Sequence, residues 1–181
     1  ACGDAGFCVT EDPHLDKKIR LLANHGLTKR SWAEVWGTVS RLDPLQATIL
    51  SHRIINLEKL IEKRRNLAAL YYKHLSHERV KLPPWRRNCR DTFHTFVIMV
   101  EQRDKLVNFL ASNGISTSIH YPIPIHLQPV GLNLGWKKGD LPETESQAEK
   151  ILSLPINQTL TEEQVWKVAN KVNQFVCNRK S

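Results

Sequence analysis

"FHTFVIMVEQRDKLVNFLASNGISTSIHYPIPIHLQP", residues Phe93 to Pro129, changes its hydrophobic period twice, and those changes decide the fold. Residues 93–100 are a nearly continuous apolar run, the pattern of a well-covered strand. "RDKLVNFLASNG" (103–114) reads as a helix closed by Asn113-Gly114. From Ile115 the period returns to two: Ile115, Thr117, Ile119 and Tyr121 share one face, and Ser116, Ser118 and His120 the other. Pro122, Pro124 and Pro129 then restrict the backbone and hold the following residues extended at low ordering entropy. Such a loop suits contact with a ligand, and it carries His120, Tyr121 and His126. A pair of structural histidines bonded to backbone carbonyls is the alternative reading, and a metal pair lacks a third ligand at an obvious spacing.

Working outward, the segment upstream is helical. Asp43 precedes Pro44, with Gln46 three residues after the Asp, which combines an N-cap, a proline at the first helical position and a capping-box partner. Behind it Leu50, Ile54, Leu57, Ile61, Arg64, Ala68, Tyr71 and Leu75 step by four and three, with no Gly or Pro between Pro44 and His77. The spacing predicts one long helix over 43–77 that bridges two packed bodies; Arg64 interrupts the seam a coiled coil would need. Further upstream, Leu15, Ile19 and Leu22 predict a helix over 13–24 stopped at Gly26, residues 27–41 read as a loop, and Ala5 to Thr10 as a buried strand. Downstream, a helix is expected over about 143–152 between Pro142 and Pro155. Another starts at a Thr161/Gln164 capping box with Val165, Val168, Val172 and Phe175 on one stripe. The fold class is α+β: a small antiparallel sheet backed by helices.

The totals exclude several function classes. The 181 residues are 41% hydrophobic and 24% charged, the balance of a globular chain. No apolar run approaches the ~20 residues of a membrane-spanning helix, and no signal-like start is present, so the sequence predicts a cytoplasmic protein without a membrane partner. Cys2, Cys8, Cys89 and Cys177 form no Cys-x-x-Cys pair, which predicts free structural thiols rather than zinc ligands or a disulfide framework. Lys and Arg number 26 against 18 Asp and Glu, a net charge of +8, concentrated in 17–30 and in "WRRNCR" (85–90). No nucleic-acid-binding pattern accompanies that charge, and aromatics are not interleaved with it as stacking platforms. A positive field serves small phosphorylated ligands equally well.

Arg41 stands just before the cap of the long helix, where it can grip a phosphate or carboxylate or pair with a local acid such as Asp43. His25-Gly26 reads as a helix C-cap. There is no nucleophile elbow, Gly-rich phosphate loop or His-Glu-x-x-His motif, so no complete active site is legible.

Six segments in order, "GDAGFCVTED", "NHG", "SRLDPLQATIL", "RRNLAALYYKHL", the stretch quoted first and "GDLPETESQAEKILSLPINQTLTEEQ", resemble the carboxyl-terminal half of the DegT/DnrJ/StrS family over essentially the whole chain. These are pyridoxal-phosphate (PLP) dependent aminotransferases of nucleotide-linked keto sugars with the aspartate aminotransferase type I fold. The resemblance implies that residues 1–42 are a remnant of the large PLP-binding domain, 43–77 the bridging helix and 78–181 the small C-terminal domain. In the family a Gly-Asp-Gly-Gly turn follows closely on the lysine that forms the Schiff base with the cofactor. "GDAG" at 3–6 therefore puts that lysine just upstream of Ala1, together with the cofactor-stacking aromatic and the carboxylate partner of the pyridinium nitrogen.

By the same resemblance Arg41, His120 and Tyr121, with His126 as a fourth, reach across a homodimer interface to the partner's nucleotide sugar, and the amino donor is glutamate. The segments look most like members acting on 3-keto sugars, in amino-sugar and surface polysaccharide synthesis. PLP is implied for the complete enzyme and not for this chain alone, which is expected to be inactive without its amino-terminal half. One position departs from the pattern: Val39 stands where the family has an asparagine that donates to the cofactor phosphate, and an apolar side chain cannot. The alternative is a non-catalytic binding or regulatory relative.

Overall fold

Asp12 opens the first helix with its side chain. In the computed structural model, which describes residues 5–75, 78–86 and 88–177, Asp12 Oδ1 accepts from the backbone N–H of His14 (2.8 Å) and Leu15 (3.4 Å). Behind it runs α1 (Pro13–Ala23). The chain divides between Glu58 and Lys59 into two compact units.

In the first unit, α1 ends at Asn24, and His25 (φ 58°) and Gly26 (φ 70°) reverse the chain in the left-handed region. Gly26 is required there for a second reason: a Cβ would lie 1.8 Å from the Val35 carbonyl oxygen. The stretch read as a loop over 27–41 holds a short hairpin, β1 (Leu27–Lys29) against β2 (Trp32–Ala33). The chain then returns beside the end of α1. Thr38 N–H donates to Leu22 O (2.8 Å) and Ser40 N–H to Ala23 O (3.0 Å), and His25 N–H donates to Thr38 O (2.9 Å). Two carbonyls that the helix terminus leaves open are thereby satisfied, and residues 38–41 are fixed against it.

The buried strand expected over Ala5 to Thr10 is not formed. Those residues are irregular, with Phe7 and Val9 exposed. A strand needs a neighbour for its backbone groups, and among the described residues none pairs with it. The Gly3-Asp4 turn and Cys2 lie outside the described residues. Cys8, Cys89 and Cys177 are free as expected but exposed, so they are not packed structural thiols.

The single helix expected over 43–77 is two helices, α2 (Pro44–Ile54) and α3 (Leu57–His74). Two consecutive β-branched residues followed by asparagine, Ile54-Ile55-Asn56, are poor helix formers, and no buried face holds that turn: Ile54 and Ile55 are both exposed. His77 lies outside the described residues. Asp43 makes no side-chain cap bond, and Gln46 Oε1 is buried without a partner, so the predicted reciprocal box is absent. α2 starts instead on Pro44 and the backbone bond from Ala47 to Asp43 O (2.9 Å).

The second unit contains the core. β3 (Phe96–Met99) pairs antiparallel with β4 (Ile151–Leu154), with Phe96 opposite Leu154 and Ile98 opposite Leu152. Single bridges extend this pair on either side: Lys81 with Met99, and Ser118 with Ser153. Around it lie α3, α4 (Arg103–Ser112) and α7 (Glu162–Cys177). Tyr71, Phe96, Ile98, Leu106, Leu110, Leu152, Val165 and Val172 are fully buried in one cluster. Each such side chain contributes roughly 1.5–3 kcal/mol relative to exposure. The Tyr71 hydroxyl donates to Pro155 O (2.7 Å), and burial pushes its pKa well above the usual tyrosine value. α7 carries the complete capping box: Thr161 N–H donates to Gln164 Oε1 (2.9 Å), and Gln164 N–H to Thr161 Oγ1 (3.2 Å).

Two sequence expectations are redrawn here. The helix expected over 143–152 is α6 (Pro142–Lys150), and Ile151 onward leaves it to become β4. Ile115 to Tyr121 is an extended segment joined by one bridge and not a laddered strand. Its alternation holds through Ile119 and fails at Tyr121, which is 74% exposed.

Candidate functional site

Ser118 N–H donates to Ser153 O (3.2 Å) and Ser153 N–H to Ser118 O (2.8 Å), which fixes the extended segment to β4. Ile119 packs against the core, and its neighbour His120 is thereby turned to the other side. There His120 Nδ1 lies 2.8 Å from Ser153 Oγ, so the imidazole is oriented by a hydroxyl on the same strand that holds its backbone. Tyr121 stands edge-on to His120, with ring centroids 5.6 Å apart, and projects outward.

His120 is shared by two clefts. One, of about 410 Å³, is lined by His120, Tyr121, Ile125, Gln128, Thr144 and Gln147. The other, of about 150 Å³, is lined by His94, Thr95, Ser116, Thr117, Ser118 and Ser153 around the same imidazole. The larger cleft is mainly apolar, with Ile123, Pro124, Ala148 and Ile151 also on its walls, whereas hydroxyls and imidazoles share the smaller one about evenly with Leu154, Pro155 and Ile156. Their polar groups can donate to and accept from a polyhydroxylated ligand, but no carboxylate or lysine lines either cleft.

The prolines do not keep the loop extended as the sequence suggests. After Pro124 it tightens into a 3-10 turn (Ile125–Leu127), then into the short α5 (Pro129–Leu132). This coil carries His126 inward, where it is 4% exposed. Its Nε2 donates to Glu145 Oε1 (3.0 Å), its ring lies edge-on to Trp136, and Gly131 approaches so closely that a Cβ would lie 2.5 Å from His126 O. Glu145 Oε1 also accepts from Gly139 N–H (2.8 Å) and, at 3.4 Å, from Leu141 N–H. The His126 bond first, and the Gly139 amide second, hold the Glu145 carboxyl below its ordinary pKa. The loop thus presents His120 and Tyr121, while His126 anchors it to α6.

Arg41 belongs to the first unit. Its Nη2 donates to Asn24 Oδ1 at the end of α1, and among the described residues it has no carboxylate partner, Asp43 included. It borders a cavity of about 700 Å³ with Arg20, Thr10, Ser40 and Val39. Asn24 holds the guanidinium without neutralising it, so the positive charge remains available to an anion. Val39 is exposed and offers no donor.

PLP requires an amine for its aldehyde, a face against its ring and donors for its phosphate. The described residues supply phosphate donors at best: no lysine lines the cavity beside Arg41, and its arginine neighbour Arg20 is already engaged by Asp16 (2.9 Å). By themselves they do not fit the cofactor. Nor do the described residues hold a group of three or more His, Cys, Asp or Glu side chains placed for a metal.

The profile of the DegT/DnrJ/EryC1/StrS aminotransferase family matches residues 1–173. This chain belongs to that family. Among relatives of the family, the "Pleiotropic regulatory protein" of Geobacillus stearothermophilus is 40% identical over 178 residues, covering 97% of this chain and 48% of that protein. The dTDP-3-amino-3,4,6-trideoxy-alpha-D-glucose transaminase of Streptomyces venezuelae is 37% identical over 174 residues, covering 96% of this chain and 46% of that one. Among solved structures, S. venezuelae DesV in complex with a ketimine intermediate superposes with a TM-score of 0.88 at 35% identity, over 96% of this chain and 46% of that chain. The chain spans about half the length of the relatives it matches, and its fold is that of the matching part of those structures.

The side chains that orient the site were less legible than the ones they orient. Glu145 stands in the first turn of a proline-led helix, a position where a carboxylate is ordinarily read as complementing the helix dipole. Ser153 falls just past the end of the helix the sequence predicts over 143–152, and Asn24 is legible only as the end of another.

Proposed function

We propose that these residues are the carboxyl-terminal part of a PLP-dependent aminotransferase that moves an amino group, taken from glutamate, to a keto sugar carried on a nucleoside diphosphate. The observation that carries the reading is the His120–Tyr121 pair, presented on a hydroxyl-lined surface and oriented by Ser153, in a chain 37% identical to a dTDP-sugar transaminase. In this reading His120 and Tyr121 bind the sugar nucleotide, and the uncompensated Arg41 binds a phosphate or carboxylate oxygen. His126 keeps a supporting role, holding the loop in place. The three contacting residues reach the partner subunit's substrate in a cytoplasmic homodimer that serves amino-sugar and polysaccharide synthesis. The cofactor and its Schiff-base lysine are assigned to the complete enzyme, and the 181 residues alone are inactive. The regulatory relative at 40% identity keeps a non-catalytic binding module as the second reading.

The test compares the 181-residue chain with the full-length protein. Incubated with PLP, glutamate and a nucleoside-diphosphate 3-keto sugar, the full-length protein forms 2-oxoglutarate and an amino sugar, and the chain alone forms neither. Turnover by the chain alone would remove the fragment reading. A full-length protein that binds the sugar nucleotide without turnover would favour the binding module.

A further inference from the structure

Between α3 and β3 the chain runs through "PPWRRNCRD" (83–91), a segment to which the aminotransferase reading gives no task. Its described residues, together with Arg65 of α3, enclose a cavity of about 310 Å³; among the described residues its cationic lining is Arg65, Arg86 and Arg90 and its acidic lining is Asp91. That carboxylate is engaged, since Asp91 Oδ1 accepts from Phe93 N–H (2.8 Å). Arg65 is fixed by donating to Asp91 O (2.7 Å), by its ion pair with Glu62 (Nε to Oε1, 3.4 Å) and by lying 5.7 Å from the Trp85 ring centroid. Arg90 Nη2 reaches Glu62 Oε1 (2.9 Å) at the margin. The Arg86 guanidinium has no hydrogen-bond or ion-pair partner among the described residues. Trp85 forms a firm wall: it packs on Phe93 (5.3 Å) and edge-on to Tyr72 (5.1 Å), and is still 46% exposed.

Glu62 lies between Arg65 and Arg90 and offsets part of their charge, while Arg86 adds a guanidinium beside them that no acidic side chain among the described residues balances. Arginine forks offer paired N–H donors that match phosphate oxygens. A single carboxylate engages one fork, whereas a diphosphate spreads several charged oxygens over more than one. At roughly 30 Å³ per water in the liquid, the cavity has room for a group of about ten waters' volume, ample for a diphosphate. We propose that this cavity binds a diphosphate-bearing ligand, with Arg86 as its free contact and Arg65 and Arg90 as pre-positioned ones. The inference rests on the second unit's own geometry and not on the aminotransferase reading.

The probe is inorganic pyrophosphate, titrated calorimetrically into the full-length protein. Binding is expected, weakened about tenfold or more in Arg86→Gln, which removes one charge-assisted contact. Cys89 lines the same cavity and is exposed, so pyrophosphate should slow its alkylation by iodoacetamide while leaving the exposed Cys8 and Cys177 as internal references. UDP and dTDP, titrated in parallel, separate the two sources of this chemistry. Affinity more than tenfold above that of pyrophosphate, lost in Trp85→Ala, means a nucleoside diphosphate; equal affinity means a simple diphosphate. Absence of binding, or binding and Cys89 protection unchanged in both Arg86→Gln and Arg90→Gln at unaltered melting temperature, overturns the proposal.

Discussion

Replacing His126 by alanine tests the idea that the loop is anchored from its inner end. The substitution removes a buried hydrogen bond to an ionised carboxylate, worth about 1.5–3 kcal/mol, and a side chain that the structure can only partly collapse around. A loss of about 3 kcal/mol follows from the two together. For a cooperative unit of the size of Lys59–Ser181 this corresponds to a fall of about 10 °C in melting temperature. The second readout is local. The amides of Leu127, Gln128 and Gly131, which donate to Pro124 O, Ile125 O and Gln128 O, should exchange faster than in the parent, while those of β3 and β4 should not. Glu145 adds a pH signature. Its pKa is depressed in the folded state, so its contribution is complete above the ordinary carboxylate value of 4.5 and is lost as pH falls below that value toward the folded pKa. Glu145→Gln should flatten the acid limb of the stability profile between those two pKa values. A His126→Ala protein that melts within about 2 °C of the parent, with loop exchange unchanged, would refute the anchoring argument.

Other positions give sharper contrasts. Gly26→Ala should cost at least 1–3 kcal/mol, because residue 26 has positive φ and a Cβ would strike the Val35 carbonyl; a chemical melt following the first unit checks it. Thr161→Ala removes one arm of the α7 capping box and should cost about 1 kcal/mol by urea denaturation, with Thr161→Ser nearly neutral. Leu110→Ala, at a fully buried core position, should cost about 2–5 kcal/mol by the same measurement. In the full-length enzyme, His120→Ala should raise KM for the sugar nucleotide more than it lowers kcat, and Ser153→Ala should do the same to a smaller degree; an unchanged KM in both would remove His120 from the binding surface.

The local rules carried far in this chain because they needed nothing beyond neighbouring residues. The Thr161/Gln164 box, the Asn113-Gly114 stop and the apolar run of β3 are each governed by interactions within a few positions, and each stands where the sequence places it. Asp43 and Gln46 carry the same signature as the box at Thr161 but do not form it, since a capping pair needs both side chains free to turn toward the helix end. The long helix failed for a related reason. Its periodicity runs unbroken through Ile54-Ile55-Asn56, but a helix of weak formers persists only where a face is buried, and there none is.

What only the tertiary structure decided is which way the site residues face. The sequence by itself determined the α+β class, the positions of most helices, the proline-rich loop and its three polar rings, and the family resemblance that those segments carry. It could not say that Ile151–Leu154 would leave a helix to pair with β3, because that choice is made by the partner strand. From that pairing Ser153 acquires its place beside His120, and the 3-10 turn, closed by contacts with Gly131 and Glu145, sends His126 inward while Tyr121 remains outside. Alternation along a chain assigns faces only while the segment stays extended, and past Ile119 long-range contacts assign them instead.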